Sequence, residues 1–136
     1  MYLLDTNIIS DIARNSAGFA AQRFAEEPRE LLYTSVVVSA EVLFGLVNGT
    51  SADTHRKMTA VLQGLRVVGM EPPVAEVYAS VRAGLKKAGR ELGPNDMFIA
   101  AHALVLNATL VTADRAFRHV PGLRIENWLL GETAAS

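Results

Sequence analysis

The sequence predicts an α/β protein of three layers, α/β/α, with a central parallel sheet of four or five short strands. Two observations support this prediction. Short apolar runs alternate along the chain with segments whose apolar residues recur at helical spacing. The length of 136 residues is also that of one domain, and the sequence contains no repeat or linker.

The predicted strands are short runs of apolar or β-branched residues. The first, at 2–4, is followed at once by Asp5-Thr6-Asn7, a triplet typical of a helix N-terminus. The later strands are expected at 31–34, 65–68, 109–112 and 123–125. Because helices separate them, these strands are expected to run parallel. The pattern does not fix their order across the sheet.

The predicted helices are bounded by capping residues, prolines and glycines. The first begins after Asp5 and carries isoleucines at helical spacing. Ser35 caps another that ends between Gly45 and Asn48; it is apolar nearly all round, so we expect it to be buried. The remaining helices are expected at 17–26, 52–62, 74–88, 96–106 and 116–119.

Composition excludes several classes of function. The chain has no cysteine, which rules out disulfides, thiolate metal sites and cysteine nucleophiles. No stretch is long and apolar enough to span a bilayer, and Asp5 interrupts the apolar N-terminus where a secretion signal would be uncharged. We therefore expect a cytoplasmic protein with one domain at 1–130 and a flexible C-terminal tail at 131–136.

Apolar residues make up 50% of the chain, and the net charge is −1. The apolar share is high for a small monomer, so we expect surplus apolar side chains to form a surface for a partner. A protein that bound nucleic acid by charge alone would be more basic. Carboxylates concentrated in one site could nevertheless offset a basic surface elsewhere.

Three acidic residues are expected at the carboxyl edge of the sheet, where open α/β folds bind ligands. Asp5 follows the first strand, Asp114 follows the strand at 109–112, and Asp96 begins a helix after a Gly-Pro-Asn loop. Each could also be a plain helix cap, because aspartate is favoured there.

Glu41 lies within the apolar helix after Ser35, with no lysine or arginine within a turn or two. A buried carboxylate without a partner costs on the order of 3 kcal/mol or more. Either an ion pair with a distant cation or a functional role should therefore account for the carboxylate of Glu41.

A cluster of these carboxylates would suit one kind of chemistry. Carboxylate oxygens and water are the ligands that Mg²⁺ and Mn²⁺ prefer. Without a cation the carboxylates would repel one another, and some would take up protons. A divalent cation would relieve the repulsion and activate a water for in-line attack on phosphorus.

Other kinds of enzyme site find little support in the sequence. The three histidines, His55, His102 and His119, lack zinc spacing. We interpret His102 as a packed or surface residue. The sequence has no glycine-rich phosphate loop and no nucleophile elbow.

Four short motifs occur in order along the chain: Leu3-Leu4-Asp5-Thr6-Asn7, Ser39-Ala40-Glu41 with Phe44-Gly45, Pro94-Asn95-Asp96 with Ile99-Ala100-Ala101-His102-Ala103, and Leu110-Val111-Thr112-Ala113-Asp114. Together they resemble those of PIN-domain nucleases, and in particular the VapC-type toxin ribonucleases of toxin–antitoxin pairs. The resemblance extends to about Trp128. Each motif alone is weak, but four in order at these separations are specific.

The resemblance implies a divalent-metal endoribonuclease, usually a homodimer, inhibited by a small VapB-type antitoxin encoded beside it. Asp5 and Asp96 match the family's main ligands for Mg²⁺ or Mn²⁺. Glu41 would help to bind or position metal and water, and Asp114 would complete the acidic cluster. All four acidic positions of the family's pattern are present.

The resemblance also implies supporting residues. Asn7 and Thr112 match polar positions that orient the acidic ligands. RNA would have to be held beside this negative charge, and four basic residues are candidates: Arg82, Lys86, Arg90 and Arg115. The first three recur every four residues and would form a stripe if their helix extends that far. An ordinary solvated helix face is the alternative.

Two other interpretations are open. A non-catalytic PIN-like module could hold a structural metal in the acidic cluster, or bind a partner through an apolar surface. A receiver-like phospho-acceptor domain has a similar size and an acidic site at the same edge of its sheet. It should show adjacent acidic residues after the first strand and a late lysine at a strand end. Here Asp5 stands alone, and Lys86 and Lys87 lie within a predicted helix.

Overall fold

Five short parallel strands form one sheet in the computed structural model, which describes residues 1–131. In chain order the strands are β1 Tyr2–Leu4, β2 Leu32–Ser35, β3 Arg66–Val68, β4 Thr109–Val111 and β5 Arg124–Glu126. Their order across the sheet is β3-β2-β1-β4-β5, and every neighbouring pair is parallel. The predicted α/β/α class with a parallel sheet is confirmed, with five strands.

Six α-helices accompany the strands in the described part of the chain: α1 Thr6–Arg14, α2 Phe19–Glu26, α3 Val36–Val47, α4 Ala52–Gln63, α5 Pro73–Lys87 and α6 Pro94–Leu106. Two 3-10 helices are found at Arg29–Leu31 and Arg115–His119. Within residues 1–131, every helix is too short or too polar to cross a membrane. The tail expected at 131–136 lies outside the described residues, apart from Gly131.

Two helices start two residues away from the predicted position. Helix α6 begins at Pro94 rather than Asp96, because a proline is well suited to the first helical position and Gly93 serves as the N-cap. Helix α2 begins at Phe19 rather than at residue 17, because Gly18 is its N-cap. In both places a glycine lies just outside the helix, where the sequence pattern marks the boundary less sharply than a serine or aspartate would.

The strand order places two of the acidic residues near the point where the order of the sheet reverses. The chain first builds one half of the sheet, from β1 through β2 to β3, and then returns to add β4 and β5 on the other side of β1. Parallel open sheets bind ligands at the carboxyl ends of strands where the order reverses in this way. That point lies between β1 and β4, whose carboxyl ends lead directly to Asp5 and, three residues on, to Asp114.

The core is largely aliphatic, and the strands β1 and β4 lie within it. Leu3, Leu4, Leu110 and Val111 have no exposed surface, since layers of helices cover β1 and β4 on both faces. This is why these strands are continuous apolar runs instead of alternating ones. Burying a leucine or valine side chain contributes about 1.5–3 kcal/mol, so the strands that carry the acidic loops are anchored firmly.

Helix α3 is buried on one side only, contrary to the prediction that it is buried all round. Val38 and Val42 are its buried residues, whereas Phe44 and Val47 are 67% and 88% exposed. A helix that is apolar all round has no periodicity from which its packed side could be read. Its exposed side, which we call the α3 apolar face, consists of Val36, Leu43, Phe44 and Val47.

Candidate active site

Asp5 is the most buried of the four acidic residues, with 5% of its surface exposed. It is the N-cap of α1: its Oδ1 accepts a hydrogen bond from the backbone N–H of Thr6 at 2.8 Å. Its Oδ2 accepts one from the hydroxyl of Thr112, also at 2.8 Å. Burial raises the pKa of Asp5, the two hydrogen bonds oppose this, and the charge of Asp114 raises it further. Asp5 therefore combines a helix cap with a place in the charged cluster.

Thr112 and Asn7 join the loop after β4 to the start of α1. The Thr112 hydroxyl oxygen accepts hydrogen bonds from the backbone N–H of Asp114 at 3.1 Å and from Asn7 Nδ2 at 3.4 Å. Asn7 Oδ1 accepts one from the backbone N–H of Ala113 at 3.1 Å. These contacts fix Asp5 relative to Asp114. The role of Asn7 and Thr112 in orienting ligands stays a prediction.

Asp114 is the N-cap of the 3-10 helix Arg115–His119. Its Oδ1 accepts a hydrogen bond from the backbone N–H of Ala116 at 2.9 Å. The helix-cap interpretation is thus correct for Asp5 and Asp114. The cap uses one carboxylate oxygen of Asp114. The negative charge of Asp114 still raises the pKa of Asp5 and of Asp96.

Asp96 lies in the first turn of α6, two residues after the first helical residue, and is half-buried. The helix-cap interpretation is wrong here, because Gly93 holds that position. Burial raises the pKa of Asp96 to about 6, with further contributions from the charges of Asp5, Asp114 and Glu41. The three other acidic side chains thus all act on Asp96, which places the four in one electrostatic cluster.

Glu41 lies in the middle of α3 and is half-buried. Its Oε1 accepts a hydrogen bond from the Thr6 hydroxyl at 3.3 Å. Burial and the charge of Asp5 raise the pKa of Glu41, while hydrogen bonds from Thr6 and Asn95 oppose this. The distant cation that could have explained Glu41 is not found within residues 1–131, where none of the four acids forms an ion pair.

Thr6 and Asn95 are site residues that sequence reasoning did not identify. Each adjoins a predicted acid in the chain, Thr6 after Asp5 and Asn95 before Asp96. In the structure both contribute to the environment of Glu41, which belongs to a different helix. The one sequence feature that could have identified Thr6 and Asn95 is that each is a polar residue next to a predicted metal ligand. Helix capping or loop formation explains a polar residue at these positions equally well.

The donor set has the chemistry of a site for a hard divalent cation. Four carboxylates come from four segments and repel one another, and the raised pKa of Asp96 reflects this repulsion together with burial. Their side chains do not converge on a common point: within residues 1–131, no three acidic or histidine side chains stand in a metal-holding arrangement. Carboxylates without a counter-charge are expected to turn apart, so binding would require side-chain rotation. The assignment of metal ligands remains a prediction.

The sequence matches the family model of the PIN domain over residues 2–123. The chain belongs to the PIN-domain family. The resemblance seen in the four motifs is thereby confirmed.

Comparison with curated proteins and solved structures identifies relatives within the PIN-domain family. Our PIN domain is 30% identical to Ribonuclease VapC1 of Haemophilus influenzae (strain R2866) over 131 residues, covering 94% of this chain and 98% of that protein. It is 30% identical to the tRNA(fMet)-specific endonuclease VapC of Shigella flexneri over 132 residues, covering 93% and 97%. Its fold is similar to a chain of VapBC2 from Rickettsia felis bound to a promoter DNA fragment, with a TM-score of 0.82, 27% identity and coverage of 93% and 98%.

Five basic residues line two pockets in this PIN domain. Arg82, Lys86 and Arg90 are exposed and line a pocket beside the start of α6. Arg115 and Arg118 line a smaller pocket of about 190 Å³ that includes Asp114.

Arg90 is not on the predicted helical stripe, because α5 ends at Lys87. The chain turns at Gly89, with φ of 70°, and the backbone N–H of Arg90 donates to the carbonyl of Leu85 at 2.9 Å. This turn brings Arg90 to the same pocket as Arg82 and Lys86.

His102 is packed in the core of the PIN domain, with 1% of its surface exposed. Its Nδ1 lies 2.9 Å from the hydroxyl oxygen of Ser35, the N-cap of α3. Burial lowers the pKa of His102, and the backbone of Gly69 opposes this shift. Its Nε2 has no hydrogen-bond partner within residues 1–131. His102 therefore links α6 to α3, and it does not belong to the acidic cluster.

Proposed function

We propose that this chain is a metal-dependent endoribonuclease, the toxin of a VapBC-type toxin–antitoxin pair, which hydrolyses phosphodiester bonds of RNA. One observation carries the proposal: four carboxylates from four segments form an electrostatic cluster at the carboxyl edge of the sheet, without a cationic partner in the described residues. Similarity to proteins named ribonuclease and endonuclease over nearly their whole length supports the same activity.

The chain's own residues would have distinct roles in this reaction. Asp5 and Asp96 would hold Mg²⁺ or Mn²⁺, with Glu41 and Asp114 completing the acidic set. When bound, the cation would offset the carboxylate charge and supply the activation of water that phosphodiester hydrolysis requires. Thr112 donates a hydrogen bond to one Asp5 oxygen, which would hold Asp5 in position as a metal ligand.

RNA would be held against this negative site by cations on either side of it. Phosphate groups would contact Arg82, Lys86 and Arg90 on one side, and Arg115 on the other. The net charge of −1 is compatible with this proposal, because the charge of the acidic cluster offsets that of these basic residues.

We also propose that the chain pairs with a VapB-type antitoxin and forms a homodimer. Solved relatives include VapBC2 of Rickettsia felis and VapBC-1 of Haemophilus influenzae. The α3 apolar face supports a protein contact, because a monomer seldom leaves such large apolar side chains together in water.

A cleavage assay with purified protein tests the proposed activity. We expect RNA cleavage with added Mg²⁺ or Mn²⁺, no cleavage with EDTA, and loss of at least 100-fold in rate in Asp96→Asn and Asp5→Asn. Glu30→Gln is the matched control, because Glu30 is exposed and precedes β2 at the opposite edge of the sheet. The non-catalytic alternative predicts that the unaltered protein binds metal without cutting RNA. Full activity of a folded Asp96→Asn protein would refute the assigned site.

A further inference from the structure

A pocket of about 640 Å³ lies between the end of α5 and the start of α6. Its wall includes Pro94 and Met97, and Asp96 lies between these two in the first turn of α6. The pocket is thus within one helical turn of a proposed metal ligand. Its volume falls in the range of small-ligand sites, roughly 300–1,000 Å³.

The less exposed part of the pocket lining is apolar and aromatic. Tyr78, Leu85, Leu92 and Met97 contribute to it. The Tyr78 ring stacks on Phe98, with ring centroids 4.2 Å apart and planes at 21°, so its orientation is fixed by packing. An aromatic ring beside aliphatic side chains suits a planar nucleobase, which stacks on such surfaces with little regard to its identity.

The rim of the pocket is cationic. Arg82, Lys86 and Arg90 line it, together with one carboxylate, Glu91. Arg82 Nη1 donates a hydrogen bond to the Tyr78 hydroxyl at 3.1 Å, which leaves most of the guanidinium N–H groups for phosphate oxygens. None of the three cations forms an ion pair within residues 1–131.

We propose that this pocket binds one unpaired nucleotide of the RNA, with its base beside Tyr78 and its phosphates on the cationic rim. The inference rests on the proposed ribonuclease function and adds to it a binding site for one nucleotide, within a helical turn of Asp96. A base within a duplex is paired and stacked, so it cannot enter a pocket of this shape.

The rim is tested by charge reversal at two adjacent lysines. Lys86 lines the pocket and Lys87 does not, yet both are exposed in the last turn of α5. Binding of a fluorescein-labelled, unpaired RNA octamer of mixed sequence is measured by anisotropy in an Asp96→Asn background. We expect Lys86→Glu to raise Kd about tenfold or more and to flatten its salt dependence, and Lys87→Glu to change Kd less than threefold. Equal effects of the two substitutions would overturn the proposal.

The base is tested by Tyr78→Leu, which keeps an apolar side chain and removes the aromatic ring. We expect Kd for the octamer to rise about fivefold or more, with no change for an octamer of abasic ribonucleotides. A double-stranded RNA of the same length should bind no more weakly to Tyr78→Leu than to the parent. Loss of affinity for all three probes alike would argue against base binding, and circular dichroism melting checks that each variant is folded.

Cleavage by the unaltered chain is scored separately. If it cuts RNA while Lys86→Glu and Lys87→Glu bind the octamer alike, the pocket is not a nucleotide site and the ribonuclease function stands. If it cuts no RNA but the octamer depends on Lys86 and Tyr78, the pocket stands and the proposed activity falls.

Discussion

The hydroxyl of Thr112 lies 2.8 Å from Oδ2 of Asp5, although 107 residues separate them in the chain. The contact joins the end of β1 to the end of β4, the two strands between which the sheet order reverses. Thr112 also accepts a hydrogen bond from the backbone N–H of Asp114. A single side chain therefore connects two members of the acidic cluster.

Replacing Thr112 by valine should slow RNA cleavage by roughly 10- to 100-fold, because the loss of a residue that orients a ligand has effects of this size. Valine keeps the shape but cannot donate to Asp5, so the pKa of Asp5 should rise further. Initial rates at saturating metal, taken across pH, would measure both effects. Thr112→Ser keeps the hydroxyl and should retain most of the activity. If valine and serine proteins cleave equally well, the hydrogen bond has no part in catalysis.

The sequence is most informative where local chemistry and topology coincide. Asp5 and Asp114 follow apolar strands, and the carboxyl ends of parallel strands share one edge, so their proximity can be expected before the strand order is known. Their capping interactions do not conflict with a site role, since a carboxylate has two oxygens and more than one acceptor direction. The two interpretations of these residues are therefore compatible.

The sequence is less informative about α3 and its contacts. Its pattern marks Glu41 as a carboxylate in a buried helix, yet α3 is buried on one side only. A uniformly apolar helix has no polar stripe to mark its solvent side, so Glu41 was predicted from a partly wrong premise. The contacts of Thr6 and Asn95 with Glu41 depend on how three separate segments pack, which no local pattern reveals.

Asp96 should make stability depend on pH in the absence of divalent cations. Its pKa is raised from 3.8 to about 6, so between these values the folded state binds more protons than the unfolded state, and this group's contribution to stability falls as pH rises. Asp96→Asn should therefore raise the melting temperature in EDTA by roughly 5 °C at pH 7.5 and by much less near pH 4. The substitution also removes the favourable interaction of the Asp96 carboxylate with the N-terminus of α6. This interaction contributes about 0.5 kcal/mol, which is less than the stability gained by removing the carboxylate charge. Thermal melts across pH test this, and a melting temperature that is lower in the variant at pH 7.5 would contradict it.

Divalent cations should stabilise the folded protein in a way that depends on the cluster. At pH 7.5, Mg²⁺ or Mn²⁺ at 100 times its Kd should add about 2.7 kcal/mol to the free energy of unfolding. Because Asp96 has a pKa of about 6, protons should compete with the metal, and the effect should weaken as pH falls below 6. Calorimetric melts with and without metal measure it. Asp96→Asn should lose most of the stabilisation, and Glu30→Gln should keep it; equal stabilisation of all three proteins would place the metal elsewhere.

Ser35 should contribute more to stability than an ordinary helix cap. It caps α3 by accepting from the backbone N–H of Val37 at 3.2 Å, and its hydroxyl also meets buried His102 Nδ1. Ser35→Ala removes the cap, worth about 1 kcal/mol, and leaves a buried nitrogen unsatisfied at a cost of about 1–3 kcal/mol. We expect a total loss of roughly 2–4 kcal/mol by urea denaturation. Ser51 caps α4 on the surface, through Thr54 N–H, so Ser51→Ala should cost only about 1 kcal/mol. Equal losses in the two variants would mean that the contact with His102 adds nothing.

The α3 apolar face should govern self-association of the chain. Phe44 is 67% exposed, so Phe44→Glu in an isolated molecule should change the free energy of unfolding by no more than about 0.5 kcal/mol. In a dimer that buries this face, the same substitution would place a charge in an apolar contact and shift the protein to monomer, as seen by light scattering at micromolar concentration. Phe19→Glu is the matched control, because Phe19 is 59% exposed on α2, outside the face. Dimers that survive Phe44→Glu but not Phe19→Glu would place the interface on α2. A monomeric unaltered chain would refute the homodimer and leave the α3 apolar face as a surface for the antitoxin.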